Sequence, residues 1–175
     1  MEKTVLILGA SGKIVTHSAA AFGRAGWTVR LFNRKTDSLA KAAAGTHVIV
    51  NGFNSHYKNW AKDVPRYTKK IIKAAKASGA TVIVPGNVYV YGGNAGIWGP
   101  DTPHSAKTRK GRIRIEMERV YRDAASTSVR TILLRAWDFI DPNGADKLMG
   151  SFIVKNIQKG LLTHLGPPKG RRASC

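Results

Sequence analysis

Residues Thr4-Val-Leu-Ile-Leu8 form a continuous apolar run that ends in Gly9-Ala-Ser-Gly12 and passes directly into an alanine-rich segment. An apolar run of this length reads as a strand buried on both faces, the kind found in parallel sheets covered by helices. A glycine turn between such a strand and a helix leaves backbone N–H groups uncovered at the positive end of the helix dipole. That arrangement holds a pyrophosphate. Gly9 permits the tight turn and Gly12 lets the backbone approach the phosphates, so Gly9, Ser11, Gly12, Lys13 and Ile14 are the candidate contacts. A lone Gly-x-x-Gly says little; after the first buried strand and opening the first helix it says more. The competing reading is a turn that serves chain reversal only.

The rest of the chain repeats the alternation. Strands are expected over residues 28–32, 48–50, 80–84 and 129–134, and helices over about 12–25, 109–125 and 145–158. A short helix capped by Asp37 or Ser38 runs through Ala44, and a longer one starts near Trp60 or Pro65 and closes at Ser78-Gly79. Pro65 suits a first turn better than an interior. Strands separated by helices predict an α/β, Rossmann-type parallel sheet with helices on both faces. One dinucleotide-binding domain over 1–165 is expected, followed by a basic, aperiodic and disordered tail over 166–175.

A chain of 175 residues can build one sizeable core. Its only cysteine is Cys175, which excludes disulfides and cysteine-metal sites. No cluster of His, Asp and Glu has metal-ligand spacing. No apolar run approaches the roughly 20 residues of a membrane span, and a cytoplasmic setting is expected. The formal charge of +19 is unusual. Such an excess favours polyanions, but the cations are dispersed along the chain, which reads as a solvated surface and leaves nucleic-acid association as a minor reading.

Gly9-Ala-Ser-Gly12-Lys-Ile, Val88-Tyr-Val-Tyr91-Gly92 and Leu134-Arg-Ala-Trp-Asp-Phe-Ile-Asp-Pro142 together resemble the NAD-dependent epimerase/dehydratase branch of the short-chain dehydrogenase/reductase superfamily. The resemblance covers most of residues 3–160 and implies a nicotinamide cofactor on the glycine turn. The family pattern is Gly-x-x-Gly-x-x-Gly, and Val15 stands at the third position, where glycine lets helix and strand pack closely. Valine is expected to push them apart slightly. The resemblance also implies a shortened member: the stretch from Asn33 to Val48 is too brief for the family's helix, strand and second helix, and its substrate-binding C-terminal portion is missing after about Gly166.

A carboxylate after the second strand would bind both ribose hydroxyls and repel a 2′-phosphate. Here the residues are Asn33-Arg34-Lys35, which remove the repulsion and offer two cations, so NADP(H) is favoured over NAD(H). The alternative is two solvated loop cations. By analogy with the family, Asn51 and Gly52 would lie beside the adenosine or its ribose.

The superfamily's proton donor is a tyrosine followed four residues later by a lysine, preceded by a serine or threonine on the neighbouring strand. Counting back from Glu116 puts Thr108 and Arg112 at the tyrosine and lysine positions, and counting back from Tyr91-Gly92 puts Asn87 at the serine position. Threonine is a poor replacement for a phenol of pKa about 10. Tyr89 and Tyr91 lie beyond a strand's carboxyl end, where they either supply the proton or pack against the sheet. Lys110 reaches the cofactor if the helix starts one turn differently. His56, His104 and His164 read as surface histidines, and Glu116 and Glu118 are expected to offset Arg112, Arg114 and Arg122 along one helix.

Three functions are held against each other: an atypical NADP-dependent oxidoreductase or epimerase-like protein acting on a small carbonyl or hydroxyl compound, an NADPH-binding sensor or regulator with little catalysis, and a basic nucleic-acid-associated protein. Nothing in the sequence fixes the substrate or the oligomeric state.

Overall fold

A computed structural model describes residues 2–9, 12–93, 96–136 and 160–161. The chain divides into two compact units, Met1–Asn94 with Thr102–Trp137 and Ala95–Asp101 with Asp138–Cys175. In the second unit the described residues are 96–101 and 160–161, all in turns or irregular backbone. The helix expected over 145–158, the tail over 166–175 and Ser11 lie outside the described residues.

In the first unit, β1 (Thr4–Leu8) is buried at every residue. It pairs in parallel with β2 (Thr28–Phe32) on one side and β3 (Val48–Asn51) on the other. β4 (Thr81–Asn87) and β5 (Thr131–Ala136) continue the parallel ladder, giving the order β2-β1-β3-β4-β5. This is a doubly wound order, with β2 beside β1 on one side and β3, β4 and β5 following on the other. The connection from β2 to β3 carries only α2 (Leu39–Ala43). The chain reverses its direction of travel across the sheet at β1 and β3, so a crevice opens at the carboxyl ends of these two strands, where ligands bind in open α/β sheets.

Strand alternation sends Val5, Ile7 and Val50 to one face, where α1 (Lys13–Arg24) covers them with Val15, Ala19 and Phe22. Leu6, Leu8, Ile49, Val82 and Val84 point to the other face, against Ile71 and Ala74 of α3 (Trp60–Ser78) and Met117 and Tyr121 of α4 (Arg109–Ala125). Each large side chain fully buried this way contributes about 1.5–3 kcal/mol. The sheet with helices on both faces is the fold expected from the alternation.

Two elements differ from expectation. α3 begins at Trp60, which leaves Pro65 inside the helix rather than in its first turn. The helix is closed by Gly79 in the left-handed conformation, at φ 72°. β4 runs on through Pro85 to Asn87. Proline is tolerated because β3 pairs with β4 only as far as Ile83; beyond it, β4 is laddered to β5 alone. No helix among the described residues is long and apolar enough to cross a membrane.

Candidate functional site

Gly9 has φ 93°, a conformation side-chain-bearing residues rarely adopt. A Cβ there would overlap the backbone carbonyl of Gly52, just past β3. Gly52 is equally confined: a Cβ on it would overlap the Leu8 carbonyl and stand 2.5 Å from Val15 Cγ2. Val15 Cγ2 thus occupies the space that a side chain at position 52 would need. Val15 is buried, and the space a third glycine would free on α1 is supplied instead by Gly52 across the turn.

Gly12 is different. It is the N-cap of α1 at φ −92° and ψ 147°, and a Cβ there would meet nothing nearer than the Gly9 carbonyl at 3.8 Å. Neither backbone conformation nor protein packing requires glycine at this position. Among the described residues no side chain caps the helix, and its first turn carries no acidic residue to offset its positive end.

Gly9, Gly12, Asn33, Arg34, Lys35 and Gly52 line one cleft of ≈ 690 Å³, walled on the far side by His56, Asn59, Asp63 and Tyr67. The glycine turn after β1 and the residues after β2 thus share one groove. Lys13 and Ile14 occupy the first turn of α1, exposed and half-buried respectively, without lining the cleft. Asn51 turns away from it: its amide donates to Tyr121 Oη at 3.2 Å and its Oδ1 accepts from the Phe53 N–H, tying β3 to α4. Burial pushes the Tyr121 phenol well above its ordinary pKa, which suits this structural role.

Around Asn33 the side chains lock the loop. Asn33 Oδ1 accepts from the Lys35 N–H at 3.0 Å, and the Asn33 N–H donates to Asp37 Oδ2 at 2.7 Å. Asp37, expected only as a helix cap, instead closes this loop onto the Asn33 N–H. Arg34 donates to Tyr67 Oη at 2.9 Å, and Arg66 donates to the same oxygen at 3.1 Å while pairing with Asp63. Arg34, Lys35, Arg66 and Lys70 surround an adjoining cavity of ≈ 580 Å³ with Asp37 as its only acidic lining residue. The contribution of Arg66, Tyr67 and Lys70 from α3 was missed from sequence; the run of cations along that helix was the available signal.

At the carboxyl end of β4, Asn87 caps a short 3-10 turn (Val88–Tyr91), its Oδ1 accepting from the Tyr89 N–H at 3.1 Å. Tyr91 is 2% exposed, with its ring against His104 and under the Arg135 guanidinium. Tyr89, by contrast, is 40% exposed and lines a second cleft of ≈ 580 Å³ with Gly92, Gly93, Thr108 and Lys110. Thr108 is the N-cap of α4, its Oγ1 accepting from the Gly111 N–H at 3.1 Å. Arg112 lines a separate apolar groove between α3 and α4. Thr108 and Arg112 are therefore not brought to one cleft.

Of the expected offset of Glu116 and Glu118 by Arg112, Arg114 and Arg122, the Arg114–Glu118 attraction is present, but the ion pairs themselves go to other arginines. Glu116 is paired with Arg119, which holds its carboxyl below the usual range. Glu118 is buried and takes a bidentate pair from Arg135 of β5, at 3.0 and 2.7 Å. Arg135 also donates to the Asn87 carbonyl at 2.6 Å. His104, expected on the surface, packs 3.3 Å from Glu118, and burial lowers its pKa despite that carboxylate. Buried arginine and carboxylate attract strongly because water no longer screens them. Here the pair clamps α4, β5 and the end of β4 together.

No protein-family model matches this chain, and no curated protein matches it in sequence. Solved structures do match in fold. A dTDP-4-dehydrorhamnose reductase from Yersinia enterocolitica aligns with TM-score 0.72 and 20% identity over 91% of this chain and 61% of its own. A UDP-glucuronic acid 4-epimerase from Bacillus cereus, in complex with UDP-glucuronic acid and NAD, aligns with TM-score 0.74 and 13% identity over 89% and 63%. A dTDP-4-dehydrorhamnose reductase from Bacillus anthracis in complex with NADP aligns with TM-score 0.62 and 13% identity over 77% and 53%. The chain thus spans little more than half the length of these proteins, and over that span it has the Rossmann-type fold of nucleotide-sugar epimerases and reductases.

Proposed function

We propose that this chain is an atypical NADP(H)-dependent oxidoreductase or epimerase-like protein acting on a small carbonyl or hydroxyl compound, with nucleotide sugars the substrate class suggested by the fold likeness. The observation that carries it is the single groove joining Gly9, Gly12 and Gly52 to Asn33, Arg34 and Lys35. These residues fit a dinucleotide: Gly9 and Gly52 let β1 and β3 end close together, and Gly12, which no protein contact requires to be glycine, leaves bare backbone at the positive end of α1 on the groove. A bound nicotinamide supplies or accepts the hydride that the polypeptide cannot.

The chain's own residues bind and orient. Backbone N–H groups of the first turn of α1, from Lys13 on, hold the pyrophosphate, while the Gly12 N–H closes the turn on the Gly9 carbonyl at 3.2 Å. Arg34 and Lys35, with Arg66 and Lys70 behind them, take the 2′-phosphate through charge-assisted hydrogen bonds. Asp37 stays on the Asn33 N–H, so its charge is partly occupied rather than directed at the ribose. Asn87 positions the start of the Tyr89 turn. Solved relatives in fold contain NAD or NADP, so the preference is a property to be measured on this chain. Calorimetric titration tests it: NADPH is expected to bind more tightly than NADH, and equal affinities would overturn the preference.

The second reading, an NADPH-binding sensor with little catalysis, is favoured by one observation: Thr108 is committed to capping α4 and Arg112 faces another groove, so no acid–base pair stands at those positions. Turnover of NADPH with a panel of carbonyl compounds separates the two.

A further inference from the structure

Tyr57 and Tyr89 come from separate elements, a 3-10 turn before α3 and the turn after β4, yet their phenol oxygens stand 3.5 Å apart. Both rings pack beside Trp60. Lys110 Nζ lies 3.9 Å from the Tyr57 ring centroid and lines the same cleft as Tyr89. The Arg114 guanidinium, over the Trp60 ring at 4.2 Å, adds a second cation behind the pair. Two phenols backed by two cations form a compact acid group that no part of the Thr108–Arg112 pattern uses.

Its location bears on its use. His56 and Asn59, which flank Tyr57 in sequence, line the glycine-turn cleft, whereas Tyr89 lines the second cleft. Tyr57 thus links, through its sequence neighbours and its contact with Tyr89, residues of both clefts. Its geometry is held by the backbone: the Tyr89 N–H is fixed by Asn87, and the Tyr89 carbonyl lies where a Cβ on Gly111 would come within 2.8 Å. Glycine in the first turn of α4 is what allows this approach.

We propose that Tyr89 Oη is the catalytic proton donor and acceptor, with Tyr57 as the conduit to solvent and Lys110 as a positioning residue. This rests on the nicotinamide-dependent reading above. In the reducing direction the carbonyl carbon takes its hydrogen and two electrons from the reduced nicotinamide, and the carbonyl oxygen takes the proton from Tyr89. The Tyr89 O–H bond breaks to leave a phenolate in the cleft that Lys110 also lines. Tyr57 passes its own proton to that phenolate and is reprotonated by water. In the oxidising direction the alcohol proton leaves along the same path. Tyr91 has no part in this, being enclosed between His104 and Arg135.

The test uses the full chain with NADPH and a panel of carbonyl compounds. Tyr89→Phe is expected to lower single-turnover reduction by about 10²–10⁴-fold while NADPH affinity by calorimetry and the melting temperature stay unchanged. Tyr57→Phe gives a smaller loss. Lys110→Ala moves the pH–rate profile, and Lys110→Arg restores it, which a merely structural lysine would not do. Independently of turnover, mapping of tyrosine nitration by mass spectrometry should show Tyr89 modified in the free protein and protected when NADPH and a carbonyl compound are both present. Full turnover in Tyr89→Phe, or NADPH binding with no turnover and no protection of Tyr89, overturns the assignment and leaves the cofactor reading standing. Absence of NADPH binding overturns the cofactor reading, and the donor assignment with it.

Discussion

At the carboxyl ends of β1 and β3, two glycines fit because any side chain would strike neighbouring backbone, and a third, Gly12, is free of such constraint. At the carboxyl end of β4, the arrangement depends on what particular side chains do: Glu118 and Arg135 clamp the strand end, Asn87 caps the turn, and Tyr89 and Tyr57 meet across it. The first region is specified by backbone geometry, which a sequence displays directly as glycine after a buried strand. The second is specified by long-range side-chain contacts, which a sequence displays only as residue types. The same chain thus relies on bare backbone at one strand end and on side-chain contacts at the other.

The largest effect is expected in the second region. Glu118→Ala leaves the Arg135 guanidinium without its buried partner and should cost about 3–5 kcal/mol of stability, read as a large fall in chemical-denaturation midpoint. An unchanged midpoint would show that the clamp does not hold α4 to β5. In the glycine region, Gly52→Ala inserts a methyl group against the Leu8 carbonyl and Val15, and overpacking of this kind should cost about 1–3 kcal/mol. If Gly52→Ala melts with the unmodified protein, the exchange of space between Val15 and Gly52 is wrong.

Much of the first region was legible from sequence. The alternation of strands and helices, the glycine turn and the bounds of α4 follow from period and punctuation. Gly52 as the counterpart of Val15 was not legible, because the two residues are remote in sequence and adjacent only once β1 and β3 pair. Asn51 sits next to Gly52, yet alternation along β3 puts it on the face of Ile49, where it meets Tyr121. In the second region the i to i+4 charge pattern suggested that Glu118 served its own helix, whereas burial delivers it to Arg135 of β5 and to His104. Tyr89 and Tyr91 are equivalent in sequence; only the 3-10 turn that buries one and exposes the other separates them.

Smaller effects refine the contrast. Arg34→Ala should narrow the gap between NADPH and NADH affinities by about 1–3 kcal/mol, and an unaltered gap would leave Arg34 to Tyr67 alone. The smallest effect expected is on pH dependence. Burial lowers the His104 pKa below its ordinary 6.5, with Arg135 and Arg122 pushing the same way against Glu118. The folded protein then takes up a proton there less readily than the unfolded chain, so stability declines as pH falls below about 6.5 and is fully present above it. His104→Gln should flatten that decline in thermal melts recorded across the range; an identical decline would place its origin elsewhere.

The dinucleotide groove itself is tested by titrating NADPH into the unmodified protein and into Gly12→Leu, with melting curves for both. Because Gly12 has an ordinary φ and open space around its Cα, the substitution should leave the fold intact. The larger side chain should nonetheless abolish NADPH binding by blocking backbone approach to the pyrophosphate. Tight NADPH binding by the unmodified chain that is lost in a normally melting Gly12→Leu variant is the predicted result. Equal NADPH affinity in the two proteins, or none in either, would contradict it.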